Sequence, residues 1–241
     1  MNTLVHYSLQ DNIATIRIDD GKRNALSPAV LREIYQALHQ AESDRAAIIL
    51  TGRESVFSAG FDLNVMKRGG IEALNMLRLG YSLPARILRY PHPVIVACNG
   101  HVLAMGVFLM LSADYVIGSR GDFKIAANEV AIGMTMPRVA AATLRNRLTP
   151  AAFQRAVTLS QTFDPESALK AGFFDELVDP AELMLRAEAR VNDAMRLDQR
   201  AHTESKRRIR KALVRKIRSS VPLDLLDAAL IGLRRKRPTK T

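Results

Sequence analysis

Ser55-Val56-Phe57-Ser58-Ala59-Gly60-Phe61-Asp62-Leu63 follows an apolar run, Ala47-Ile48-Ile49-Leu50-Thr51, that reads as a buried strand. It opens into a short helix-like segment, Asp62 to Lys67. A strand that ends in small residues and then starts a helix leaves backbone N–H groups free at the turn. Backed by the helix dipole, such donors suit an anion or a carbonyl oxygen that is becoming negative. Most corners of this kind bind nothing, so the reading depends on what stands elsewhere in the chain.

Working outward, Leu4–Leu9 and Ile13–Ile18 alternate around Asp11-Asn12, a hairpin pattern. Ser27-Pro28 gives an N-cap and a proline at the first helical position. Val30, Leu31, Ile34, Leu38 and Ala41 recur at helical spacing, which predicts an amphipathic helix over 28–43. Gly69-Gly70 marks a flexible break before a helix over about 72–89, which stops at Pro91-His92-Pro93. A lidding role for this break and helix is one expectation. His92, held between prolines, reads better as a turn residue than as a catalyst. A second buried strand, 94–98, ends at Asn99-Gly100. Val102–Ser112 then reads as an apolar, internal helix, and strand character resumes over Asp114–Ile117. Strand, helix, strand, helix in this order implies parallel crossovers and an α/β domain. After residue 137 the pattern is helical: 137–147, 150–158, 165–171, 180–196, 198–218 and 222–234. The stretch Arg234-Arg235-Lys236-Arg237-Pro238 is expected to fray.

The 241 residues, nearly half of them apolar, suffice for one substantial core and argue against disorder. No apolar run is long enough to span a bilayer. Met1–Gln10 lacks the basic start and apolar stretch of a secretion signal. The lone cysteine, Cys98, forbids an internal disulfide and a cysteine zinc cage, and reads as a small core residue. No metal site is expected, and a reducing, cytoplasmic setting fits. The net charge of +11 is not spread evenly: from Arg196 onward there are 15 Lys/Arg and 4 Asp/Glu, while the rest carries 20 of each sign. A basic tail invites a nucleic-acid reading, but it holds no Phe, Tyr or Trp on which bases could stack. A solvated helical face, a subunit contact or attraction for an anionic ligand remain open.

Two turns follow the two buried strands, Ser58-Ala59-Gly60 and Leu103-Ala104-Met105-Gly106. If the strands are neighbours, the turns share a sheet edge, where ligands bind in α/β sheets. Two N–H groups converging there would make an oxyanion hole and prepare enolate chemistry. Two ordinary glycine-bearing corners explain the spacing equally well. Proton transfer would need a base, and Phe123 to Gly133 sets one carboxylate, Glu129, among apolar neighbours. Burial there would raise its pKa toward that of a general base; a surface loop glutamate is the plainer alternative.

Taken together, Asn24-Ala25-Leu26, Phe57 to Leu63, His92-Pro93-Val94-Ile95 through Asn99-Gly100, and Asn128-Glu129 with Gly133 resemble the crotonase family, the enoyl-CoA hydratase/isomerase superfamily, over about residues 5–180. The resemblance implies an α/β fold with a crotonase-like ββα spiral core. Residues 1–195 would form that core, and 196–241 a basic helical C-terminal region used in oligomerisation as a homotrimer or hexamer. It implies an acyl-CoA substrate, with coenzyme A as part of the substrate and no separate cofactor. Ala59 and Met105 would supply the oxyanion N–H groups, although the second position is usually glycine, so the Met105 side chain would reshape the acyl pocket beside Gly106. Lys22, Arg23, Ala25, Phe61, Asp62, Gly106 and Phe108 would line the substrate, with Lys22 and Arg23 either meeting phosphate or merely solvated. Hydratases of the family carry two glutamates. Here Phe108 stands at the first position and Glu129 at the second, the pattern of the Δ3,Δ2-enoyl-CoA isomerase branch. A single-glutamate hydratase and a catalytically lapsed acyl-CoA- or RNA-binding protein are the alternatives. No membrane span is implied, and a nucleic-acid partner is not favoured.

Overall fold

The computed structural model describes residues 3–235. The chain begins with β1 (Val5–Gln10) and β2 (Ile13–Ile18), joined antiparallel through Asp11 and Asn12. Both turn residues have positive φ, 50° and 60°, as a type I′ hairpin requires. Next come β3 (Ala25–Leu26), α1 (Pro28–Ser43), β4 (Ala47–Thr51), β5 (Ser55–Ser58), β6 (Gly60–Phe61), α2 (Leu63–Arg68) and α3 (Gly70–Leu88). They are followed by β7 (Val94–Cys98), β8 (Gly100–Leu103), α4 (Met105–Met110), β9 (Tyr115–Ser119), β10 (Ile125–Ala126), α5 (Arg138–Arg147), α6 (Pro150–Thr158) and α7 (Pro165–Ala171). The chain closes with β11 (Glu176–Val178), α8 (Leu183–Met195) and α9 (Gln199–Arg235).

Three strands of the large sheet are each followed at once by a strand of a second, smaller sheet. The large sheet runs β1-β2-β4-β7-β9-β11, and the small one β10-β8-β5, parallel throughout. Thus β4 passes into β5, β7 into β8 and β9 into β10, and each pair then returns through helix. This repeated strand–strand–helix turn is the ββα spiral of the crotonase fold. The corners are tied together: Asn99 Nδ2 donates to Gly52 O and Arg53 O at 3.1 and 2.6 Å, and its Oδ1 accepts from Gly52 N at 3.2 Å. The expected neighbours β4 and β7 do pair, in parallel, Ile48 opposite Val94.

The core follows from the pattern. Ile16, Ile18, Leu31, Ile34 and Leu38 are fully buried between the large sheet and α1. On the opposite face Ile49, Ile95, Ala97 and Ile117 pack against Leu183, Ala187 and Val191 of α8. Cys98 is buried, as the sequence suggests. Ser27 Oγ caps α1 by accepting from Val30 N.

Two expectations fail. Residues 102–112 are not one helix: β8 occupies Gly100–Leu103, and a six-residue helix starts at Met105. The apolar run is hydrophobic because both pieces are internal, and burial hides which is strand. The separate helices 198–218 and 222–234 are one continuous α9 of 37 residues, with Pro222 inside it. Proline removes one helical hydrogen bond. Both halves are held nonetheless, the first against α3 and the second through Asp224, whose carboxylate accepts from Arg138 N and Val139 N at the start of α5. Of the stretch expected to fray, Arg234 and Arg235 still belong to α9, and Lys236-Arg237-Pro238 lie outside the described residues.

Candidate active site

The three strands of the small sheet run in one direction, so their C-terminal ends share one edge. β5 leads into Ala59-Gly60-Phe61, β8 into Ala104-Met105, and β10 into Asn128-Glu129. With strands about 4.8 Å apart, the topology sets both turns and the carboxylate side by side. The contact between the turns is close: a Cβ on Gly60 would lie 2.9 Å from Ala104 Cβ and 3.3 Å from Met105 N, and one on Gly106 would lie 2.8 Å from Ser58 Cβ. Glycine at both positions is what permits this approach, and Gly60 also takes φ +82°.

Met105 is the first residue of α4, following Ala104 at φ 48°. Its N–H is one of the donors that a helix start leaves without an intrahelical partner, and no acceptor for it occurs among the described residues. The donor expected from Ala59 is a different matter. Its N–H is turned toward the β3 side and donates to Arg23 O at 3.0 Å, while Gly60 N donates to Ser58 Oγ at 3.2 Å. The Ala59 N–H is committed within the chain, which corrects the sequence expectation. A side-chain pattern does not encode which way a peptide points at a positive-φ glycine.

Glu129 follows β10 and precedes a 3₁₀ turn, Val130–Ile132, whose Ile132 N and Met134 N both donate to Glu129 O. The residue is 5 % exposed, and its Oε2 meets no donor among the described residues. Desolvation pushes the carboxyl pKa up to about 7, with a hydrogen bond from its own backbone N–H pulling more weakly the other way. Asn128 Oδ1 beside it is likewise buried and unpartnered among the described residues. Phe108, one helical turn beyond Met105, is 1 % exposed and apolar.

The remaining expected residues divide. Asn24 Nδ2 donates to Ile18 O, Val56 O and Phe57 O, so Asn24 ties the polar loop to β5. Ala25 on β3 pairs opposite Gly60. Lys22 and Arg23 are exposed on that loop, with Lys22 O accepting from Arg53. Asp62 caps α2, accepting from Asn64 N at 2.8 Å. The Phe61 ring presses on Gly80 of α3 and meets Tyr81 edge-on at 5.6 Å. Tyr81 is the residue that sequence reasoning passed over. It is buried, and desolvation and the charges of Asp224 and Glu129 raise its pKa. Nothing in its helical spacing marks it out. His92 is indeed in the turn before β7, where its carbonyl accepts from Lys206 Nζ. Among the described residues no cluster of His, Cys, Asp and Glu could hold a metal ion, and no helix is long and apolar enough to cross a membrane.

A ββα spiral with a buried carboxylate and a helix-start N–H at one sheet edge defines a crotonase-fold protein. The enoyl-CoA hydratase/isomerase family pattern matches residues 8–224, and the chain belongs to that family. A Mycobacterium avium protein named probable enoyl-CoA hydratase is 31% identical, over 71% of this chain and 67% of its own. Human mitochondrial enoyl-CoA delta isomerase 1 is 28% identical, over 83% and 68%. An enoyl-CoA hydratase/isomerase family protein from Pseudomonas syringae shares the fold with TM-score 0.91 at 43% identity, covering 92% of this chain and 97% of that one. Human mitochondrial delta3-delta2-enoyl-CoA isomerase does so with TM-score 0.85 at 25% identity, covering 99% and 100%.

Proposed function

We propose that the protein shifts the double bond of an enoyl-CoA from Δ3 to Δ2, with Glu129 as its single proton carrier. The observation that carries this reading is one buried carboxylate at the strand edge whose Oε2 meets no donor among the described residues, with apolar Phe108 where a second acid would be needed to hold water. The thioester carbonyl accepts from Met105 N–H. Its second donor is the N–H of Phe61, since positive-φ Gly60 interrupts the strand alternation just past the committed Ala59 N–H. Ionised Glu129 takes a proton from C2, and the negative charge spreads over the dienolate and onto the thioester oxygen between those donors. The protonated carboxyl then returns that proton to C4, leaving the conjugated 2-enoyl thioester and a regenerated base. Phe108 and the buried setting keep water from competing.

The loop carrying Lys22, Arg23 and Ala25, with the backbone near Asp62, takes the CoA end, and Phe61, Gly106 and Phe108 border the acyl part. The reading calls for no cofactor beyond the CoA of the substrate. We also place subunit contacts, in a trimer or hexamer, on the exposed Leu223, Leu226 and Leu230 of α9. Hydration is the second reading, favoured by the hydratase name of the mycobacterial relative. The test supplies 3-enoyl-CoA and 2-enoyl-CoA to wild type and Glu129→Gln, following conjugation and hydration separately. The isomerase reading expects conjugation without hydration, reduced about 10²–10⁴-fold in the variant. Hydration by wild type at a comparable rate would replace it with the second reading.

A further inference from the structure

Away from the strand edge, the end of α3 and the middle of α9 enclose a cavity of ≈ 640 Å³. Its floor is apolar, with Leu88 and Val214 buried, and its walls are basic. Arg89 stands on one side; Arg207, Lys211, Arg215 and Arg218 stand on the other. All five are exposed. Arg207 pairs with Glu204 at 2.6 Å, while Arg89, Lys211, Arg215 and Arg218 form no ion pair among the described residues. The deeper cations are already committed, since Lys206 and Arg210 hold Asp114 at 2.6 and 2.9 Å.

This arrangement opposes the stability of the helix. Arg207, Lys211 and Arg215 follow one another at i,i+4, and Arg218 continues the stripe, a spacing at which like charges destabilise. An anion in the cavity would reverse the sign of that term. The volume lies in the range of small-ligand sites, the cations come from two elements across a concavity, and the floor offers apolar surface. We propose that this cavity is a second ligand site, separate from the enoyl-CoA site, which takes a compact oligophosphate such as a nucleoside triphosphate. Guanidinium groups suit it by forking onto phosphate oxygens.

The probes are inorganic tripolyphosphate and ATP, titrated into the whole protein by calorimetry at low and moderate salt. The variants are Lys211→Gln/Arg215→Gln and, on the other wall, Arg89→Gln, all exposed positions. Binding by wild type is expected, weakened by salt and at least 10-fold by the double variant. Tripolyphosphate is also expected to raise the wild-type Tm more than the variant's, with kcat and KM for enoyl-CoA unchanged in the variants. Absence of binding at low salt, or equal binding by the folded variants, overturns the proposal. A raised KM for enoyl-CoA in the variants also overturns it, because the cations would then belong to the substrate's own site. So does an RNA oligonucleotide that binds and is not displaced by tripolyphosphate, which would mark an extended nucleic-acid track.

Discussion

A carboxyl group that titrates near 7 is half ionised where enzymes work, and for Glu129 this has two consequences of opposite sign. In the proposed isomerisation, removal of the C2 proton requires the carboxylate, so kcat/KM is expected to rise with pH and level off above about 7. A profile flat between pH 5.5 and 8 would deny Glu129 the role of base. Folding responds the other way. The native state holds the proton more tightly than the unfolded chain, whose carboxyl titrates at 4.5. The stability contribution is therefore complete below 4.5 and is lost as pH rises through about 7. Ionising this buried group costs at most about 3 kcal/mol. Glu129→Gln, which removes the titration, is expected to unfold at a higher denaturant midpoint than wild type at pH 8, with the gap closing toward pH 5. Glu129 is legible in the sequence because a lone acid among apolar residues is conspicuous. The direction of the Ala59 N–H and the approach of Tyr81 are not, since one is a backbone torsion and the other a product of helix packing.

Among the elements, β8 explains why the site exists. It lies between β5 and β10 and brings their ends to the Met105 turn. Its first residue, Gly100, passes so close to β5 that a Cβ would overlap the Ser55 carbonyl. Gly100→Ala is thus expected to destabilise the protein by about 1–3 kcal/mol or more through overpacking against backbone. It should also lower the proposed isomerase activity by moving Met105 off the edge. Thermal unfolding with parallel kinetics checks this, and an unchanged Tm would show that β5 yields easily. The long elements, α1, β4, α3 and β7, could be read from periodicity and from their proline and glycine boundaries. β3, β6, β10 and β11, of two or three residues, could not. So short a strand shows no alternation, and what makes it a strand is the neighbour it pairs with.

At the scale of the molecule, the C-terminal excess of charge was plain from composition, but the attachment of α9 was not. A 37-residue helix, about 55 Å long, is held to the core at its far end by its own Asp224 and along its first half by one carboxylate of the core. Asp114 accepts from Val94 N at 2.7 Å while pairing with Lys206 and Arg210. Burial brings the Lys206 ammonium down to about 8, against the attraction of Asp114. Asp114→Asn leaves that cation without its counter-charge, at a cost of about 3–5 kcal/mol. The expected result is faster hydrogen exchange and earlier proteolysis within α9, with the strands of the large sheet still protected. Uniform loss of protection would mean that helix and sheet open as one unit.

Cys98 ends β7, the strand between β4 and β9. It is 1 % exposed, and burial pushes its thiol up to about 12, so the closed molecule offers almost no thiolate to a reagent. The chain thus carries its own clock. The rate at which a thiol-selective alkylating agent at mildly alkaline pH consumes this single thiol measures how often the centre of the large sheet comes apart, without any label being introduced. Added enoyl-CoA slows that clock only to the extent that the substrate holds the whole spiral shut.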